Sequence, residues 1–172
     1  MSQKLHAQWI VGFTDGEGCF NIDIHLNPRT KWGIQIQPEL TIVQNEIDEQ
    51  ILYDLKSYFE CGSVTVNRKD HTGIRKMWRV KSIEHCHDKI LGFFEKHNLR
   101  TKKQIEFQRF SEIVRLMKQD YHTQSLKNFL EIIEKSQNIK VRPSYYVPKN
   151  KPNKTLERIQ ELHQMLQQNP DL

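Results

Sequence analysis

The sequence predicts an α+β domain in which two antiparallel hairpins alternate with helices. Two observations carry that prediction. Along four short stretches, apolar and polar residues alternate with the period of a half-buried strand, and these stretches form two pairs, 18–27 with 32–44 and 63–68 with 75–82. Between and after the pairs, apolar residues recur every three or four positions, the period of an amphipathic helix. The resulting order is helix, strand, strand, helix, strand, strand, helix, then further helices, with four antiparallel strands forming one sheet.

Each element has its own signal. Leu5, Trp9 and Phe13 recur every four residues and predict a helix over 4–15. Phe20, Ile22 and Ile24 alternate with Cys19, Asn21, Asp23 and His25 in the first strand, which Asn27-Pro28-Arg29-Thr30 closes as a turn. The second strand sets Ile34, Ile36, Leu40 and Ile42 against Gln35, Gln37, Glu39 and Thr41. Pro38 lacks a backbone donor, which fits an edge position or a bulge. Asn45 is a suitable cap for a helix over 46–59, with Ile47, Ile51, Leu55 and Tyr58 or Phe59 facing inward and Gly62 ending the segment. In the second pair, Val64 and Val66 oppose Thr65 and Asn67. After a polar hairpin loop at 69–74, Trp78 and Val80 oppose Met77, Arg79 and Lys81. Further helices are predicted over 83–96, 102–119 and 123–136.

Residues 1–140 read as one domain. From Arg142 the composition shifts, with three prolines, Arg142, Lys149 and Lys151 before Lys154, which predicts an extended connector. Leu156, Ile159, Leu162 and Leu166 then outline a short amphipathic helix. Residues 141–172 are thus a proline/lysine-rich connector and a helix expected to dock on its own domain.

Lys and Arg total 26 against 21 Asp and Glu, a net charge of +5 that tilts towards a phosphate-rich partner. No apolar run approaches the roughly 20 residues of a membrane span, and the first residues lack an apolar signal segment. A reducing, nucleic-acid-bearing compartment is expected: chloroplast or mitochondrion if the chain is organelle-encoded, otherwise intracellular and not secreted. Three scattered cysteines, Cys19, Cys61 and Cys86, argue against a disulfide framework. His85-Cys86-His87 lacks the spacing of a zinc site and reads as helix decoration.

The informative stretch is Trp9-Ile-Val-Gly-Phe-Thr-Asp-Gly-Glu-Gly-Cys-Phe20, a helix end running into a strand. Gly12 and Gly16 lie on one helix face, although a glycine in a helix costs about 1 kcal/mol relative to alanine. Close approach of a second helix would explain them. Asp15 and Glu17 sit where the helix runs out, opposed by its dipole, which points to a cation or a partner's donor nearby.

Residues 10–18 resemble the signature of the LAGLIDADG homing endonucleases, with Gly12, Asp15 and Gly18 at its glycine and acid positions and Glu17 at the second acid. That family has the αββαββα core order, so the resemblance extends over about 5–120. It implies a metal ion held by Glu17 with the carbonyl of Gly16. Magnesium, which takes oxygen ligands and keeps several waters, suits such a site, and manganese or calcium could occupy it. The resemblance also implies solvent positioning by Gln44 and a catalytic lysine in Leu99-Arg100-Thr101-Lys102-Lys103. Lys102 is the first choice and Lys103 the competing register. Family members often carry a basic residue just after the Gln44 position, where this chain has Asn45, Glu46, Ile47, Asp48 and Glu49.

The polar sheet face carries Asn21, Asp23, His25, Gln35, Gln37, Glu39, Thr41, Thr65, Asn67, Arg79 and Lys81. Amides, arginines and carboxylates can read base edges, and an antiparallel ribbon fits the major groove. One motif supplies one metal acid per chain, whereas cutting both DNA strands takes two. A homodimer joined through Trp9, Gly12, Phe13, Asp15 and Gly16 would supply the pair and would read a long, pseudo-palindromic target. The expected activity is site-specific, intron-encoded, metal-dependent hydrolysis of double-stranded DNA, generating short 3′ overhangs. The alternative is a cleavage-inactive relative acting as a DNA-binding protein or as a maturase on intron RNA.

Overall fold

In the computed structural model, residues 5–71, 73–141, 153–170 and 172 are described. Helix α1 (Ala7–Glu17) runs into β1 (Gly18–Leu26), followed by β2 (Ile34–Asn45), a 3-10 turn (Glu46–Asp48) and α2 (Gln50–Phe59). Then come β3 (Ser63–Asp70), β4 (Gly73–Val80) and α3 (Ile83–His85). A π-helical turn (Cys86–Leu91) joins α3 to α4 (Gly92–Lys96). Helices α5 (Lys103–Lys118), α6 (Tyr121–Gln124), α7 (Leu126–Gln137) and α8 (Lys154–Gln168) complete the described chain. The α+β class and the αββαββα order agree with the sequence.

The sheet is wholly antiparallel with order β1-β2-β4-β3, so the two hairpins meet through β2 and β4. The buried residues of β1 and β2 are the alternating apolar set, Phe20, Ile22, Ile34, Ile36, Leu40 and Ile42. Phe20 lies at the centre, its ring 5.3–5.6 Å from those of Phe94, Phe107 and Phe110. These rings come from α4 and α5, which therefore cover the apolar face and leave the other face to solvent. Trp78 of β4 stacks on Phe59 and donates its indole N–H to the Cys61 carbonyl at 3.0 Å. Gly62 (φ +80°) lets the chain pass, because a β-carbon there would fall 2.6 Å from that indole nitrogen.

Several details differ from the sequence pattern. Helix α1 extends through Glu17, placing both motif acids inside the helix. The expected helix over 46–59 begins as a separate 3-10 turn, capped by Asn45 accepting from the Ile47 N–H, and Ile47 is 87% exposed instead of inward. The expected helix over 123–136 is split, because Ser125 is extended and caps α7 through the Asn128 N–H. Strands β3 and β4 reach to Asp70 and Gly73, so the loop expected at 69–74 is shorter. Pro38 pairs with Ile22 in an unbroken ladder, and pairing with β4 begins only at Leu40. It therefore occupies the part of β2 that has a strand on one side only, where a missing donor is tolerated.

Most of the expected connector, residues 142–152, lies outside the described residues. Helix α8 packs back on the domain through buried Ile159 and Leu162, and Arg158 donates to the Trp32 carbonyl at 3.1 Å.

Candidate active site and nucleic-acid interface

The end of α1 is set by Gly18. A β-carbon at this position would come within 2.5 Å of the Thr14 methyl and 2.7 Å of its carbonyl oxygen, so only glycine lets the helix pass this tightly into β1. The two acids just before it have separate surroundings. The Asp15 carboxylate accepts the Arg100 N–H at 2.7 Å, the Thr101 N–H at 3.2 Å and the Thr101 hydroxyl at 2.8 Å. It thereby pins the turn that leads into α5. Glu17 is exposed and has no hydrogen bond or ion pair among the described residues. Asp15, expected at a subunit interface, is engaged within its own chain.

The pinned turn delivers Lys103. Its backbone N–H donates to the Thr101 hydroxyl at 3.2 Å, and its half-buried ammonium donates to the Gly18 carbonyl, one residue from Glu17. Lys102 is exposed, stands before the first turn of α5 and has no side-chain partner among the described residues. Between the two registers left open by the sequence, Lys103 is the lysine beside the motif.

Gln44, next to last in β2, is half-buried opposite Lys76 of β4. Lys76 pairs with Glu49, and that hydrogen bond raises the lysine's pKa, with burial opposing. A basic residue therefore stands opposite Gln44 across the sheet, while the stretch just after Gln44 has none. No local pattern marks it, since strand pairing alone brings it there. Cys86 points into the core, and burial pushes its thiol up to about 12. His85 is exposed and His87 pairs with Asp88, so the three do not converge. Among the described residues, no group of three or more His, Cys, Asp or Glu is placed to hold a metal. Of the two motif acids, only Glu17 is open.

Beyond Glu17, α1 presents an open stripe. Among the described residues, a β-carbon at Gly12 or Gly16 would meet nothing within 4 Å. Beside the stripe, Trp9 is 43% exposed and stacks on Phe13 with ring centres 4.6 Å apart.

On the polar sheet face, several candidate readers are tied to each other. Lys81 lies 3.7 Å from both Asp23 and Glu39, Arg79 lies 3.6 Å from Glu39, and His25 lies 3.2 Å from Asp23. Gln35 accepts from the Asn27 amide at 2.8 Å. Asn21, Gln37, Thr41 and Thr65 make no side-chain hydrogen bond among the described residues. The register corrects one placement. Val66 pairs with Lys76 and Arg68 with Arg75, which leaves Asn67 as the extra residue of a bulge. Directly paired residues share a face. Arg75 pairs with Asn45 and Arg79 with Thr41, so Arg75 and Arg68 stand on the polar face, where simple alternation had put Asn67. A one-residue bulge reverses the alternation beyond it, and the sequence does not mark it.

Comparison with known proteins agrees with this layout. The family model described as LAGLIDADG endonuclease matches residues 10–114. The probable intron-encoded endonuclease 2 of Neurospora crassa is 34% identical over 130 residues, covering 76% of this chain and 28% of that protein. The crystal structure of a homing endonuclease, I-TnaI, superposes with a TM-score of 0.74 at 33% identity, covering 95% of this chain and 99% of the other. I-LtrWI, a LAGLIDADG homing endonuclease bound to target DNA, superposes with a TM-score of 0.73 at 25% identity, covering 86% and 47%. The chain spans between about a quarter and a third of the length of the first curated relatives it matches.

Proposed function

This chain belongs to the LAGLIDADG endonuclease family, and from that premise we propose that it is a site-specific DNA endonuclease, metal-dependent and active as a homodimer. One observation carries the reading: the two motif acids have different tasks. Asp15 is saturated by Arg100 and Thr101, while Glu17 remains open at an exposed helix end with the Lys103 ammonium close by. A structural acid would be expected to find a partner. Glu17 has the exposure a ligand needs.

The donor set fits magnesium. Glu17 and the carbonyl of Gly16 are hard oxygen donors, and magnesium takes one or two carboxylates together with waters and substrate phosphates. When bound, the ion would activate water and neutralise charge on the phosphate. Lys103 would hold positive charge beside the same phosphate, and Gln44, at the sheet end next to α1, would orient solvent.

The dimer reading rests on the open glycine stripe. Gly12 and Gly16 remove the side chains that would hold two helices apart, and among the described residues nothing lies within 4 Å of where a β-carbon would stand. Pairing across it would bring two copies of Glu17 to two strands of one duplex, with the polar sheet faces reading the two half-sites. An organelle intron as the source is supported by the intron-encoded names of relatives. Among the described residues, no helix is long and apolar enough to cross a membrane.

The test is selection of cleaved duplexes from a randomised library in magnesium. A near-palindrome of about 20 base pairs is expected for a dimer of this geometry. Recovery of no enriched cleaved site would overturn the endonuclease assignment in favour of a binding or splicing role.

A further inference from the structure

We infer that the cavity beneath the turn between β1 and β2 binds a small organic anion, a flat apolar body carrying one carboxylate or phosphate, independently of the endonuclease reading above. The cavity encloses about 350 Å³ between that turn, α6 and α7, within the size range of small-molecule sites. Its walls are of two kinds. Trp32, Ile34, Ile36 and Phe129 supply an apolar side, the Trp32 and Phe129 rings lying 6.3 Å apart. Arg29, Lys31, Gln35 and His122 supply a polar side, and no Asp or Glu among the described residues lines the cavity. Arg29 and Lys31 are exposed and form no ion pair among the described residues. The Gln35 side-chain oxygen accepts from the Asn27 amide, which leaves the Gln35 amide N–H groups free to donate. A lining with positive charges only attracts an anion, and the apolar wall beside it favours a ligand that also has a hydrophobic body.

Two buried groups in the wall point to a missing partner. The Trp32 indole N–H and the His122 Nδ1 are closed off from solvent and have no hydrogen-bond partner among the described residues. Trp32 as a whole is only 9% exposed. Unpaired buried polar groups are destabilising. Of the three such side-chain atoms among the described residues, two belong to residues that line this cavity. An indole nitrogen can only donate. Burial lowers the His122 pKa, with Asp120 opposing, so the ring is neutral near neutral pH and can carry its proton on Nδ1. Lys31 holds its ammonium over the Trp32 ring, 4.6 Å from the ring centre. A rotamer change of this exposed side chain, of a kind common on binding, would admit an acceptor oxygen to the indole.

The site stands apart from the motif. Strand β1 pairs with β2 from Gly18 and Ile42 at the motif end to Leu26 and Ile34 at the cavity end. Those eight steps span roughly 27 Å, so a ligand here leaves Glu17 untouched.

The test is titration of the full, nitrogen-15-labelled chain with benzoate, phenyl phosphate, benzyl alcohol and inorganic phosphate, followed by NMR of the indole N–H signals. The chain has three tryptophans, and Trp32→Phe identifies the Trp32 signal by its loss. Benzoate or phenyl phosphate should move that signal downfield in a saturable way at millimolar concentration, and the tighter of the two names the headgroup. Benzyl alcohol, which lacks the charge, and inorganic phosphate, which lacks the apolar body, should each bind about tenfold more weakly or worse. Arg29→Gln combined with Lys31→Gln should weaken the two ring-bearing anions about tenfold, since a charge-assisted hydrogen bond is lost, and leave benzyl alcohol unchanged. Both substitutions are at exposed positions, and the indole spectrum itself reports whether the variant is folded. Absence of any saturable shift at Trp32 with either anion overturns the inference. Equal binding of benzyl alcohol would show a merely apolar hollow, and equal binding of inorganic phosphate would show that the apolar wall is unused. Either outcome overturns it, as does a double variant that binds the anions undiminished.

Discussion

Asp15 and Thr101, 86 residues apart in sequence, are joined by two hydrogen bonds, the Thr101 N–H and hydroxyl both reaching Asp15 Oδ1 at 3.2 and 2.8 Å. With the Arg100 N–H on the second carboxylate oxygen, this contact fixes the approach to α5 against the end of α1. It brings Lys103, and not Lys102, beside the motif.

Asp15→Ala removes the acceptor for three donors at once. Hydrogen bonds to a charged group contribute about 1.5–3 kcal/mol. In a chain of this size that corresponds to a fall in melting temperature of roughly 3–12 °C. Cleavage should slow in parallel at temperatures where the fold is intact, since Lys103 loses its support. Calorimetry and a single-turnover cleavage assay measure the two effects. An unchanged melting temperature would show that the contact contributes nothing.

The lysine register can be separated directly. Lys103→Ala should reduce single-turnover cleavage by about a hundredfold, in the range of a lost positioned charge. Lys102→Ala should stay within a few-fold of the unsubstituted rate. The reverse ranking would restore the register that the sequence alone favoured.

Glu17→Gln keeps size and polarity while removing the charge. If Glu17 holds the ion, a contribution of several kcal/mol is lost, a factor of about 10³ or more in rate. Specific DNA binding should change little, because the readers lie on the sheet. Plasmid linearisation and gel retardation on the selected target report the two functions. Undiminished cutting would remove the assignment.

Gly12→Leu tests assembly with little risk to the fold. A β-carbon at Gly12 meets nothing within 4 Å among the described residues, and leucine favours a helix more than glycine does, so the subunit should fold and melt normally. A leucine in the stripe would hold a partner helix away, so light scattering should give the mass of a monomer. A dimer of unaltered mass would contradict pairing through α1.

Much of this protein is legible along the chain because local period encodes it. Phe20, Ile22, Ile34, Ile36, Leu40 and Ile42 alternate, and all six are buried on one sheet face. The helices over 46–59, 83–96 and 102–119 follow their apolar spacing, with errors confined to boundaries and irregular turns such as the π turn at Cys86–Leu91. Alternation failed at Asn67, where one looped-out residue exchanged the faces of everything beyond it in β3.

The sequence by itself determined the fold class, the family signature at Ile10–Gly18 and the identity of the two acids, because side-chain period and short motifs are local properties of a chain. Only the tertiary structure decided which acid is engaged and which is open, which of two adjacent lysines approaches the motif, and that Arg68 instead of Asn67 faces the solvent side of the sheet. Those outcomes depend on contacts between residues about 85 positions apart and on strand register. Neither leaves a repeating mark in the order of residues.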